Sequence, residues 1–292
     1  MEYGITIPHF GRTAQPGTVE RIAREAEAMG FDAIWASDHV IVPPGESYIP
    51  HHFYDPLIVM AVAAAVTTRV RVGVSVLVIP YREPITTAKM LATIDQMARG
   101  RLILGTGVGW MEKEFEALGV DFHRRGAITD EYLDCMHALW TTDPTTFQGR
   151  RVRFSEMRQN PKPVQDPFPV WIGGNGPAAI ERAATRGTGW HPINLSLDYF
   201  QAGVEAYHAA CRQAGTLAGP VCLRSMPGGR IQAGGDRIPF TGEPAEIAHD
   251  LAAFAAAGLS HILFAPAAPS VEALLKEMRT ITEEVRPLVK RG

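Results

Sequence analysis

Cysteine is scarce in this chain, with three in 292 residues: Cys135, Cys211 and Cys222. Their odd number and lack of metal-ligand spacing argue against a disulfide framework or a metal centre; they read as small buried apolar residues in a reducing compartment. Surplus charge is lacking too. Lys and Arg number 28 against 31 Asp and Glu, a formal net charge of -3, so nucleic acid and anionic membranes are not expected as partners. The longest apolar run, PLIVMAVAAAV at 56–66, falls short of the roughly 20 residues that cross a bilayer. MEYGITIPHF has an acidic second residue and no basic n-region, unlike a secretory signal, and the expected location is cytoplasmic. Hydrophobic residues at 46% and charged residues at 20% have the balance of a soluble globular protein.

What the chain does have is alternation. YGITIP (3–8) reads as a strand, followed by a helix capped at Thr18 with Val19, Ile22, Ala23 and Ala26 on one face and Gly30 at its end. AIWAS is the second strand and 56–66 the next helix. VRVGVSVLVI (70–79) is a third strand, apolar on both faces. Thr86 is the expected cap of a helix with Met90, Ile94 and Met97 in register, and RLILGTG (101–107) is the fourth strand. A long excursion follows: helical segments at 110–119 and 128–140, a hairpin turning across Gln148–Gly149, and a Pro-rich connection at 160–169. VWIGG (170–174), GWHPIN (189–194), PVCLRSM (220–226) and HILFAP (261–266) complete the strands, each followed by a helix, with Pro177 and Pro244 in first helical positions. Eight β/α units predict an α/β fold, a (β/α)8 TIM barrel, as one domain over 1–292 with a long insertion after strand 4.

In such a barrel the reactive groups stand at the C-terminal strand ends. Those ends carry His9 and Phe10, Asp38 and His39, Ser75 and Val76, Gly107 to Gly109, and Gly173 to Gly176. Each has a plainer explanation: Asp38 as a turn cap, His39 as a loop histidine, GGNGP as a tight strand-to-helix turn. GTGVG is no dinucleotide fingerprint, because the third glycine comes too early and no acidic residue closes a following strand.

Taken in order, ASDHV, VGVSVLVIPYREP, GRLILGTGVGWMEKEFEALGV, NPKPVQDPFPVWIGGNGPAAIERAA and GTGWHP resemble the bacterial-luciferase-like flavoproteins, and among them the deazaflavin (coenzyme F420)-dependent oxidoreductases. The resemblance implies a luciferase-like barrel holding coenzyme F420, with FMN as the alternative, and a small organic substrate. It places a non-proline cis peptide at Ser75–Val76 behind the cofactor ring, and Gly107, Val108 and Gly109 beside it. It assigns Gly173, Gly174, Asn175 and Gly176 to the cofactor phosphate. Asp38 and His39 become the catalytic pair, with His39 as acid or base. Trp110 stands where a relative that oxidises a sugar phosphate has glutamate, which suggests a more apolar substrate, and a homodimer is the usual assembly. An FMN-dependent two-component monooxygenase and a non-catalytic flavin-binding protein are the alternatives.

The remaining candidates are weaker. HHFYD (51–55) makes a poor metal site, since adjacent histidines rarely converge on one ion, and reads as a mobile lid from which Tyr54 lines the pocket. Asp38 is placed to orient His39 or to contact the cofactor. Glu112 and Glu114 read as the acidic first turn of a helix. Arg150, Arg151 and Arg153 read as a solvated hairpin face, with the acidic tail of a deazaflavin as a lesser possibility.

Overall fold

The structure, a computed structural model, describes residues 1–46, 49–226 and 238–289. Eight parallel strands form one sheet: β1 (Glu2–Thr6), β2 (Ala33–Ala36), β3 (Arg71–Val78), β4 (Leu102–Gly107), β7 (Val170–Gly173), β8 (Gly189–His191), β9 (Cys222–Ser225) and β10 (His261–Phe264). Their spatial order is β8-β7-β4-β3-β2-β1-β10-β9. Parallel bridges Trp190↔Val221 and Ile193↔Arg224 bring the two ends together, which makes the sheet a barrel. Helices α1 (Thr18–Ala28), α2 (Pro56–Val66), α3 (Pro84–Met97), α5 (Arg125–Thr141), α6 (Pro177–Arg186), α7 (Leu197–Ala214), α8 (Pro244–Ala256) and α9 (Val271–Arg279) connect the strands. The insertion after β4 carries the short α4 (Glu112–Ala117), α5 and an antiparallel hairpin, β5 (Thr145–Gln148) with β6 (Arg153–Met157).

Period-2 alternation sorts the strand residues into two layers. Ile5, Ile34, Val72, Leu104 and Ile172 join the main core, which also takes up the apolar faces of the helices. Ala33, Trp35, Ile103, Trp171, Cys222 and Leu263 form a separate cluster that fills the barrel. Two strand glycines make room for Trp35: a Cβ on Gly73 would stand 2.5 Å from its indole and one on Gly4 2.6 Å. All three cysteines are buried and free.

Helix starts differ from the sequence reading. Gly17, with φ +81, is the N-cap of α1, and Thr18 is the first helical residue, its hydroxyl donating to Gln15 O. α3 begins before Thr86: Glu83 accepts from the N–H groups of Ile85 and Thr86, and Pro84 supplies a preset φ at the first position. Met97, expected on the inner face, is 65% exposed at the last turn. The hairpin turns over residues 149–152 rather than across Gln148–Gly149, since Gln148 already pairs with Arg153 and Glu131 receives the N–H groups of Arg151 and Val152. Among the described residues no helix is long and apolar enough to cross a membrane.

Candidate active site

The strand ends meet at one mouth, and the bulge in β3 is its most distinctive feature. Val74 pairs with Leu104 and Leu77 with Thr106, so both Ser75 and Val76 lie opposite Gly105. The Ser75–Val76 peptide is cis, as the resemblance implies. Val76 is partly exposed, and two expected site residues flank it: a Cβ would lie 2.8 Å from Val76 Cγ2 on Gly107 and 2.7 Å from Val76 Cγ1 on Gly173. Both positions must lack a side chain for Val76 to stand out from the wall. Gly109 (φ +79) has its own reason, since a Cβ there would meet Val78 and Phe115; Val108 is partly exposed beside it.

Asp38 and His39 part company. Asp38 is 4% exposed and receives two N–H groups of Arg82, at 2.6 and 2.9 Å, and the N–H of Val78 at 2.9 Å. Arg82 also binds Asp55 at 2.7 Å, so this pair ties the β2 end to the β3 end and to the N-cap of α2. With its oxygens taken by Arg82 and Val78, Asp38 does not orient His39, whose Nδ1 meets Glu114 instead.

The orienting carboxylate is Glu114, which the sequence reading took for a helix-start residue. It is fully buried, its Oε2 lying 2.9 Å from His39 Nδ1 and accepting from Tyr81 Oη at 2.9 Å, while Oε1 takes the N–H groups of Val40 and Ile41 at 2.6 and 3.1 Å. Burial alone would raise its pKa; the bonds from His39, Val40 and Ile41 outweigh it and hold the carboxyl below its usual range. A carboxylate accepts only, so His39 carries a proton on Nδ1, and Nε2 has no partner among the described residues. No local signal marks Glu114, since its role depends on α4 folding back under the β2 loop.

Aromatic rings surround His39. Phe53 lies 5.1 Å from it and Trp110 6.1 Å, and Phe10 stacks on Phe53 at 5.2 Å. Phe10 and Trp110 were expected here; Phe53 takes the place expected of Tyr54, whose hydroxyl instead donates to Ala14 O at 3.3 Å. HHFYD is tied down by backbone bonds from Gly11 to His52 O and from Tyr54 to His9 O.

His9 is buried, not an open pocket residue: Nδ1–H donates to Ile7 O at 2.8 Å and Nε2 accepts the Ser37 N–H at 2.8 Å. His191 repeats the pattern, with Nδ1–H to Cys222 O at 2.5 Å and Nε2 accepting from Ser75 Oγ at 2.7 Å. Burial pushes their pKa values down to about 3 and about 4, so both rings are neutral near pH 7. Arg224, whose guanidinium donates to Ser75 O, lies in the same layer.

The turn after β7 supplies an open helix start. Gly174 has φ +124, and Gly176 is the N-cap of α6 with nothing within 4 Å of a Cβ built on it. Asn175 spends its side chain on Ile193, donating to its O at 2.8 Å and accepting from its N at 2.9 Å, so it shapes the turn instead of reaching outward. Arg150, Arg151 and Arg153 are exposed on the hairpin.

A closed parallel barrel with a bulged third strand and an open helix start after its fifth barrel strand defines a luciferase-like barrel. The family model for luciferase-like monooxygenases matches residues 1–227, and the chain belongs to that family. An uncharacterised protein of Mycobacterium tuberculosis strain H37Rv is 33% identical over 189 residues, 60% of this chain and 66% of that protein. An F420-dependent glucose-6-phosphate dehydrogenase of Kineococcus radiotolerans is 32% identical over 179 residues, 60% of this chain and 52% of the dehydrogenase. The matched stretch thus spans 66% and 52% of these relatives. An F420-dependent secondary alcohol dehydrogenase, in complex with an F420-acetone adduct, superposes with a TM-score of 0.81 at 18% identity, covering 99% of this chain and 98% of the other. The oxygenating constituent of 3,6-diketocamphane monooxygenase from Pseudomonas putida, in complex with FMN, gives 0.75 at 18% identity, covering 98% of each chain.

Proposed function

We propose that this protein is a coenzyme F420-dependent oxidoreductase that moves a hydride between the deazaflavin and a small, fairly apolar organic substrate. The observation that carries the reading is the pairing at one mouth of a partly exposed apolar bulge, Val76 between Gly107 and Gly173, with an imidazole whose tautomer is fixed. The residues present fit such a cofactor. Val76 offers a flat ring an apolar buttress, and the N-terminus of α6, with Gly174 and Gly176, leaves backbone and space for a phosphate. When bound, a deazaflavin supplies one carbon that gives or accepts a hydride. The chain's part is to seat the ring, keep water from it with Phe10, Phe53 and Trp110, and manage one proton at His39 Nε2. Glu114 holds the imidazole in place through Nδ1 and leaves Nε2 to face the mouth. Relatives named for F420 dependence support the deazaflavin. An FMN-dependent two-component monooxygenase is the second reading, favoured by the FMN-bearing structural neighbour.

The test is hydride transfer in a single turnover, with reduced deazaflavin mixed against a panel of small ketones and enones. His39→Ala should slow the transfer by roughly 10²–10⁴-fold, the worth of a positioned acid or base, and leave cofactor affinity unchanged. Transfer at the wild-type rate in the variant would take the proton away from His39.

A further inference from the structure

We propose that the floor of the mouth is an anion pocket in which Arg224 receives the carboxylate of a small organic acid, the acid being the substrate class of the oxidoreductase proposed above, on which this inference rests. Arg224 follows Cys222 on the inward-facing register of β9, two residues nearer the mouth than Cys222 and beside Leu263, both members of the cluster that fills the barrel. One of its N–H groups donates to Ser75 O, at the bulge. Nε is buried and has no hydrogen-bond partner among the described residues. No carboxylate among the described residues pairs with it. Asp38 is engaged by Arg82, and Glu114 by His39 and Tyr81.

A largely buried guanidinium with no counter-ion among the described residues is costly, and its charge is not needed to hold Ser75 O, which any neutral donor would do. Burial accordingly lowers its pKa to about 10. His9 and His191 both stand close enough for their charged forms to be disfavoured by Arg224, and their hydrogen bonds keep them neutral. Among the described residues, this layer therefore brings together the Arg224 cation, two neutral rings and the hydroxyls of Ser37 and Ser75. The planar fork of Arg matches the two oxygens of a carboxylate.

Contact by contact, this floor reaches the proposed reaction centre. His9 lies against Phe10 at 4.7 Å and Phe53 at 5.9 Å, and Phe53 lies against His39 at 5.1 Å. An acid held by its head on Arg224 would run its apolar body along Phe10 and Phe53 toward His39. That reconciles the apolar wall with a charged floor.

The probes are benzoate and benzamide, alike in shape and different in charge, titrated calorimetrically into the full chain with and without saturating deazaflavin. Wild type should bind benzoate roughly 10–100-fold more tightly than benzamide, the worth of hydrogen bonds to a charged group. Arg224→Gln, which keeps a donor for Ser75 O, should bind the two alike. Equal affinities in wild type would overturn the proposal, and this comparison stands even if the variant fails to fold. A benzoate preference that survives Arg224→Gln would overturn it as well. So would a preference that disappears on loading deazaflavin while Arg224→Gln weakens the cofactor itself, because the cation would then serve the cofactor ring. Deazaflavin titrated alone into the same samples reports on the oxidoreductase reading separately: wild type that fails to bind it sinks that reading and leaves the benzoate comparison legible.

Discussion

His39 Nδ1 and Glu114 Oε2 lie 2.9 Å apart, joining the end of β2 to the first turn of α4 across 75 residues of sequence. This contact fixes which nitrogen of the imidazole is free. Glu114→Gln keeps an acceptor for the Val40 and Ile41 N–H groups but can present an amide N–H to His39 Nδ1, which favours the wrong tautomer. The expected result is a roughly 10–100-fold slower hydride transfer, part of what a positioned acid or base is worth. The rate should also move to a different pH dependence while cofactor affinity holds. An unchanged pH profile would mean that Glu114 only anchors the loop at 40–41.

The phosphate end is best probed at Gly176. A valine at Gly174 is a poor probe, because φ is +124 and a Cβ would stand 2.9 Å from that of Ala179. Gly176 has φ -87 and open space, and it is the N-cap of α6. Gly176→Asp should leave stability equal or raise it by about 0.3 kcal/mol, since aspartate caps helices slightly better than glycine. The same charge should weaken phosphate-bearing cofactors about tenfold and spare an analogue lacking the phosphate. Equal effects on the two ligands would remove the phosphate from this turn.

Two buried histidines set an acid limit on stability. Burial depresses His9 to about 3 and His191 to about 4, from 6.5. As the pH falls below about 6.5 the unfolded chain takes up protons that the folded chain refuses. Their contribution is therefore fully present above that pH and is lost toward pH 4 and 3. The slope should be about 1.4 kcal/mol per pH unit for each histidine. Urea midpoints at about pH 7.5, 6 and 5 check it, and His191→Gln should roughly halve the slope. Flat midpoints over this range would mean that both rings are charged when folded, and half the slope that one is.

The alternation of strands and helices was legible because parallel strands covered on both faces read as apolar runs, and because Pro, Gly and acidic residues mark helix ends. The mouth was legible as positions: His39, Val76, Gly107 and Gly173 all stand at strand ends. Their partnerships were not. Glu114 reads as a helix-start carboxylate until α4 folds back beneath the β2 loop, and Asp38 looks like a partner of His39 until the fold brings Arg82, from beyond β3, onto its carboxylate. Arg224 sits in an otherwise ordinary strand, and only barrel closure shows that it faces inward with no counter-ion among the described residues. Gly4 and Gly73 carry no sequence signal either, since they answer to an indole on the strand between them.

Cofactor choice is the center of the account, and one pair of titrations tests it directly: deazaflavin and FMN, each added to the same protein and followed by absorbance. The account predicts that deazaflavin binds at least about tenfold more tightly, a gap of about 1.4 kcal/mol. FMN binding tighter by the same margin would contradict it and turn the same mouth, with Val76 and His39 in place, toward the monooxygenase reading.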